Sequence, residues 1–158
     1  MKAQQALLGE PVTGGRPVMT EWNVKTIIAG YDGSPGADRA IELAAALAKT
    51  YAAKVVVVSA FPPYPKLTVP KPTDDLGIKE AIDLAGIAVE RLRERGVEAE
   101  PDAPEGPSAD AILNAAEARE ADLIIVGGLG HSRVAGLLLG STSENVARHS
   151  TIPVLIAR

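Results

Sequence analysis

The chain has 158 residues, long enough for one domain with a full core. Apolar residues make up 46% of it but aromatics only 3%, so the core is Ala, Val, Leu and Ile, which suits helices on a buried parallel sheet rather than an aromatic-rich β-sandwich. A net charge of −4 with no basic stripe argues against a nucleic-acid partner, the absence of cysteine excludes disulfides and thiolate metal sites, and His131 and His149 are too few for a histidine-rich metal site.

Taken in order, residues 1–22 carry Gly9, Pro11, Gly14, Gly15 and Pro17 without periodicity and are expected to form a flexible tail before a domain at 23–158. Ala6-Leu7-Leu8 is too short for the apolar centre of a signal peptide. No apolar run approaches the roughly 20 residues of a membrane span. The expectation is a soluble, cytoplasmic protein with no membrane contact. Lys25 to Tyr31 reads as a first strand, followed by Asp32-Gly33-Ser34-Pro35. Ser34 suits a helix N-cap and Pro35 a first helical residue. Ala37, Ile41, Ala44, Leu47 and Ala48 then fall at helical spacing up to about Thr50. Asp32 either contacts a ligand at the end of the strand or only shapes the turn.

Lys54 to Ala60 is apolar on both faces and predicts a central second strand. The proline-rich run Phe61 to Pro72 predicts a loop. Thr73 to Arg95 predicts a helix whose buried stripe is Ile78, Ile82, Ala85, Val89 and Leu92, stopped by Gly96. Val97 to Ala103 is a weak strand whose Pro101 places it at a sheet edge. A third helix starts at Ser108 as its cap. Leu123 to Val126 is the fourth strand. Ser141, with Glu144 three residues on, has the pattern of a capping box for a fourth helix. Val154 to Ala157 closes the chain as the fifth strand. Alternation of five strands and four helices predicts one α/β domain, a Rossmann-like parallel sheet of order 3-2-1-4-5 with helices on both faces. The order reverses between strands one and four, so the Asp32 turn and the glycine-rich stretch from Gly127 to Gly140 should meet at one crevice.

That stretch follows a strand and precedes a helix, an arrangement that offers backbone N–H groups to an anion. It lacks the lysine of a P-loop, and Arg133 stands where a dinucleotide fingerprint needs its third glycine. On the residues alone, a phosphate site and a tight turn with ordinary helix packing both remain open.

The spacing Gly127-x2-Gly130-x9-Gly140-Ser141 resembles the signature of the ATP-binding subclass of the universal stress protein family. Asp32-Gly33-Ser34, Ser143-Glu144-Asn145-Val146 and Pro153-Val154-Leu155-Ile156 are similar to it as well. The likeness runs from Val24 to Arg158. It implies a nucleotide site in which Gly127 and Gly130 line the phosphates and His131, Ser132 and Arg133 surround the triphosphate and ribose. Gly140, Ser141, Thr142 and Ser143 would form a second phosphate turn. Asp32, with Gly30 before it, would stand near the ribose and phosphates, and Ala60 would offer a backbone contact to adenine. Gly128-Leu129 departs from the polar pair of many relatives. The resemblance also implies ATP as the bound ligand, magnesium with it, and a homodimer through the last strand. The function it implies is nucleotide-dependent regulation in the stress response. A slow ATP hydrolase, or an interaction module binding another adenine nucleotide, is the alternative; for hydrolysis Asp32 and Arg133 are the only candidates, and neither lies in a recognisable catalytic motif.

Overall fold

The computed structural model describes residues 22–61, 74–129 and 139–158. The elements are β1 (Thr26–Gly30), α1 (Pro35–Tyr51), β2 (Lys54–Val58), α2 (Asp74–Glu94), β3 (Ala99–Asp102), α3 (Ser108–Ala118), β4 (Leu123–Gly127), α4 (Ser141–His149) and β5 (Val154–Ala157). The five strands are all parallel and lie in the order β3-β2-β1-β4-β5, as the alternation predicts.

Successive residues of the inner strands point to opposite faces, and both faces are buried. Ile27, Ala29, Val55, Val57, Leu123 and Ile125 pack into one core with α1 and α2. Ile28, Val56, Val58, Ile124 and Val126 pack into the other with α3 and Val146 of α4. This is why the three inner strands read as continuous apolar runs. At the amino end, Asp122 accepts hydrogen bonds from the N–H groups of Lys25 (2.7 Å) and Thr26 (3.0 Å), which sets β1 against β4.

Several local expectations change. β1 and β2 end at Gly30 and Val58, short of Tyr31 and Ala60, although Tyr31 N–H still reaches Val58 O and Ser59 N–H reaches Asp102 O. The buried stripe of α2 is Ala81, Ala85, Ala88, Val89 and Leu92, while Ile78 and Ile82 are 38% and 48% exposed. Alanines let the helix lie close on the sheet, and that closeness turns the isoleucines outward. Ser108 and Ser141 are each the first helical residue rather than the cap, because Pro107 and Gly140 hold the cap positions. Trp22, placed in the tail by composition, packs its ring 5.9 Å from that of Tyr51 at the end of α1, the two planes tilted by 60°. Gly96 does end α2: its φ is +75°, and Val97 N–H turns back to Leu92 O at 3.0 Å. Pro101 is exposed on the edge strand β3, as expected. The proline-rich loop lies outside the described residues apart from Phe61.

Candidate functional site

β1 pairs with β2 on one side and β4 on the other, so the crossovers leave in opposite directions and open a crevice at the carboxyl ends of the strands. A cavity of about 140 Å³ occupies it. Its wall carries apolar Val58, Leu84, Ile112 and Val126 and polar Asp32, Ser34, Ser108 and Thr142. Those last three residues stand at the starts of α1, α3 and α4. Three helix N-termini therefore converge on one hole, each with N–H groups that no carbonyl of its own helix can accept. Their dipoles favour negative charge there.

The turn after β1 is built by its own side chains. Asp32 Oδ1 accepts the N–H of Ser34 at 2.9 Å, and Ser34 Oγ accepts the N–H of Ala37 at 3.2 Å. Asp32 thus shapes the turn and also lines the cavity, so the two readings of this residue are not exclusive. Beside it, Tyr31 O–H donates to Asp38 at 2.9 Å and Arg91 of α2 donates to the same carboxylate oxygen at 2.6 Å. Burial and the bond to Asp38 hold the Tyr31 hydroxyl above its ordinary pKa, so it stays a neutral donor. Burial would raise the Asp38 carboxyl, but the bonds from Arg91 and Tyr31 outweigh it and leave it below its usual value. The cluster locks a wall residue of the cavity to both helices of that face.

The glycines do different work from one another. A Cβ on Gly127 would lie 2.5 Å from the carbonyl carbon of Gly36, and one on Gly36 would lie 2.5 Å from Leu129 O. The first turn of α1 therefore rests directly on the end of β4, and the two motifs meet as expected. Gly128 N–H donates to Ala157 O at 2.7 Å, and Gly128 O accepts the N–H of Gly140 at 2.7 Å. The chain leaves the sheet at Gly128 and returns to the same point at Gly140. Gly130, His131, Ser132 and Arg133 lie outside the described residues.

Of the expected site residues, Gly30, Asp32, Ala60, Gly127 and Thr142 line the cavity together. Gly140, Ser141 and Ser143 flank Thr142 at the start of α4, with Ser141 exposed and Ser143 buried. The sequence reading missed Tyr31, Ser59, Leu84, Ser108 and Ile112 on the wall, and Gly36 behind it. Gly36 had a signal: a glycine inside the first turn of an otherwise alanine-rich helix marks a close approach. Among the described residues, no group of three or more His, Asp or Glu could hold a metal ion by itself.

A second ion cluster ties the edge strand down. Glu100 meets Lys54 at 3.2 Å and Arg119, which also reaches Asp102 at 3.4 Å. Burial would raise Glu100, but the hydrogen bonds it accepts from Lys54 and Arg119 hold it low. A carboxyl depressed in the folded state adds stability above its unfolded pKa, about 4, and loses it as pH falls through the folded value. The melting temperature should therefore drop as pH falls from about 5 to about 3. The drop should be shallower in Asp38→Asn and Glu100→Gln, measured by thermal melts across that range. Equal slopes in all three proteins would remove these pairs from the account.

Comparison with known proteins places this geometry. Residues 23–158 match the model of the universal stress protein family. A universal stress protein of Thermus aquaticus is 38% identical over 137 residues, covering 85% of this chain and 98% of that one. One from Mycobacterium tuberculosis strain H37Rv is 34% identical over 141 residues, covering 84% and 94%. The crystal structure of a universal stress protein in complex with cAMP superposes with a TM-score of 0.70 at 30% identity, covering 86% of this chain and 98% of the other.

Proposed function

The chain belongs to the universal stress protein family, and from that premise we propose that it binds an adenine nucleotide in the crevice between β1 and β4 and acts through its bound state as a cytoplasmic regulatory protein. The observation that carries this reading is the convergence of three helix N-termini on a cavity whose wall also carries Val58, Leu84, Ile112 and Val126. An apolar recess beside anion-binding backbone suits a flat base joined to phosphates. The nucleotide proposed is ATP. Magnesium would ride on its phosphates, and Asp32, a carboxylate on the described cavity wall, is the residue that would meet it. In this reading Ala60, two residues past β2, would offer the adenine contact and Gly140 to Thr142 would form a phosphate turn, as the resemblance implies; Ala60 and Thr142 line the cavity.

A cyclic nucleotide is the second reading, favoured by the solved relative in complex with cAMP. Turnover is a weaker one. Among the described residues of the wall there is no lysine or arginine side chain to set against a transferring phosphoryl group. Mass spectrometry of the ligand carried through purification tests the reading. ATP supports the first form, cAMP the second, and a purified protein that neither carries nor binds an adenine nucleotide overturns both.

The same premise extends to assembly. β5 ends the sheet, and its Val154, Leu155 and Ile156 are only half buried. Leu47 of α1 packs on the same core as Leu155, and Leu43, one helical turn earlier on the same face, is 38% exposed. An apolar edge of this kind invites pairing with a second copy. The protein should sediment as a dimer at micromolar concentration, and Val154→Lys should shift it to monomer. A monomeric wild type would refute the assembly without touching the nucleotide reading.

A further inference from the structure

We propose that Ser143 is a positioning residue that fixes the start of α4 at the cavity, a role that rests on the nucleotide reading above. Ser143 is 1% exposed. Its hydroxyl donates to Gly128 O at 3.1 Å and to Gly140 O at 3.0 Å, one proton shared between two carbonyls. The same Gly128 carbonyl accepts the N–H of Gly140 at 2.7 Å, and Gly128 N–H is anchored on Ala157 of β5. Gly128 is thus bound to β5 through its nitrogen and to α4 through its oxygen.

Two consequences follow from this clasp. A hydroxyl whose proton is already committed behind the helix cannot also serve a ligand in front of it, so Ser143 acts without contact. The residue before it, Thr142, lines the cavity. N–H···O hydrogen bonds need a donor–acceptor distance of about 2.7–3.2 Å and weaken steeply once the N–H···O angle falls below about 120°. The N–H groups at the start of α4 serve a phosphate only while the helix is held in register with the end of β4. Ser143 supplies that register from the buried side, and Gly140 N–H supplies the rest.

The experiment compares wild type, S143A and S141A by calorimetric titration with ATP, together with amide hydrogen exchange on each free protein. In S143A we expect about tenfold weaker binding, the scale of one buried hydrogen bond. The Gly140 amide should exchange faster, while the amides of β4 exchange as in wild type. S141A, altered at an exposed side chain, should keep its Gly140 protection. Should S143A melt too low to titrate, S143C keeps the size with a weaker donor and carries the same comparison. ATP binding by S143A at wild-type strength, or unchanged exchange at Gly140, overturns the role. A wild type that binds neither ATP, AMP nor cAMP overturns the nucleotide reading itself, so the two failures are distinct.

Discussion

Gly127→Ala is expected to lower the stability of the protein by about 3 kcal/mol, the upper part of the range for overpacking, and so to lower its melting temperature by roughly 6–12 °C. The added methyl would sit 2.5 Å from Gly36 C, 2.7 Å from Ala37 N and 2.8 Å from Gly36 O. These are backbone atoms, which cannot swing aside as a side-chain tip can. Relief requires α1 to lift from β4, and α1 carries Ala37, Ala40, Ile41, Ala44 and Ala48 into the core. Gly86 in the middle of α2 is the control, since nothing lies within 4 Å of its Cβ position. Gly86→Ala should stabilise slightly, by up to about 1 kcal/mol, through helix propensity. Thermal and urea melts of both variants measure the contrast. A Gly127→Ala protein that melts with wild type would mean that α1 does not rest on the strand.

The second large effect is the stabilisation of the folded state by its nucleotide. Ligand at about 100 times its dissociation constant adds roughly 2.7 kcal/mol, which for a domain of this size is a melting shift on the order of 5–10 °C. Ala60→Trp should abolish that shift. Ala60 is half buried on the cavity wall, beyond the last paired residue of β2, so an indole there fills the recess without entering the ladder. The apo melting temperature should stay near wild type. Running ATP, AMP and cAMP in parallel ranks the ligands by the size of the shift. Equal shifts in wild type and Ala60→Trp would place the nucleotide outside this cavity.

Much of the fold was legible because the strong signals are local and periodic. Val55 to Val58 and Leu123 to Val126 read as doubly buried strands and Pro101 as a residue of an edge strand, and the order 3-2-1-4-5 satisfies both. What misled was chemistry settled at a distance. Ser141 has every local feature of a cap, but Gly140 takes that place because both of its backbone groups are engaged, its N–H by Gly128 and its C=O by Glu144. Ile78 and Ile82 outweigh alanine on any hydrophobic scale, yet the alanines face the sheet. In the site, Asp32, Ala60, Gly127 and Thr142 were legible from spacing and resemblance. Ser108, Ile112 and Leu84 were not, because they reach the cavity from α3 and α2, and no motif announces a wall residue contributed by a packing helix.

The place of β1 also sets an order in time. Ile27 and Ile28 are paired with Val55 and Val56 on one side, but their other neighbours are Leu123 and Ile124, almost a hundred residues later in the chain. While the protein is being synthesised, β1, α1, β2 and α2 can dock before β4 exists. In that interval the middle strand of the final sheet is an open apolar edge, with its ladder groups unpaired. Pairings of such long range close slowly, and an edge left waiting is open to other chains. The interval ends when β4 docks and Asp122 takes up the N–H groups of Lys25 and Thr26. Yield from the ribosome should therefore depend on how soon β4 follows α2 and β3, more than on the stability of the finished domain.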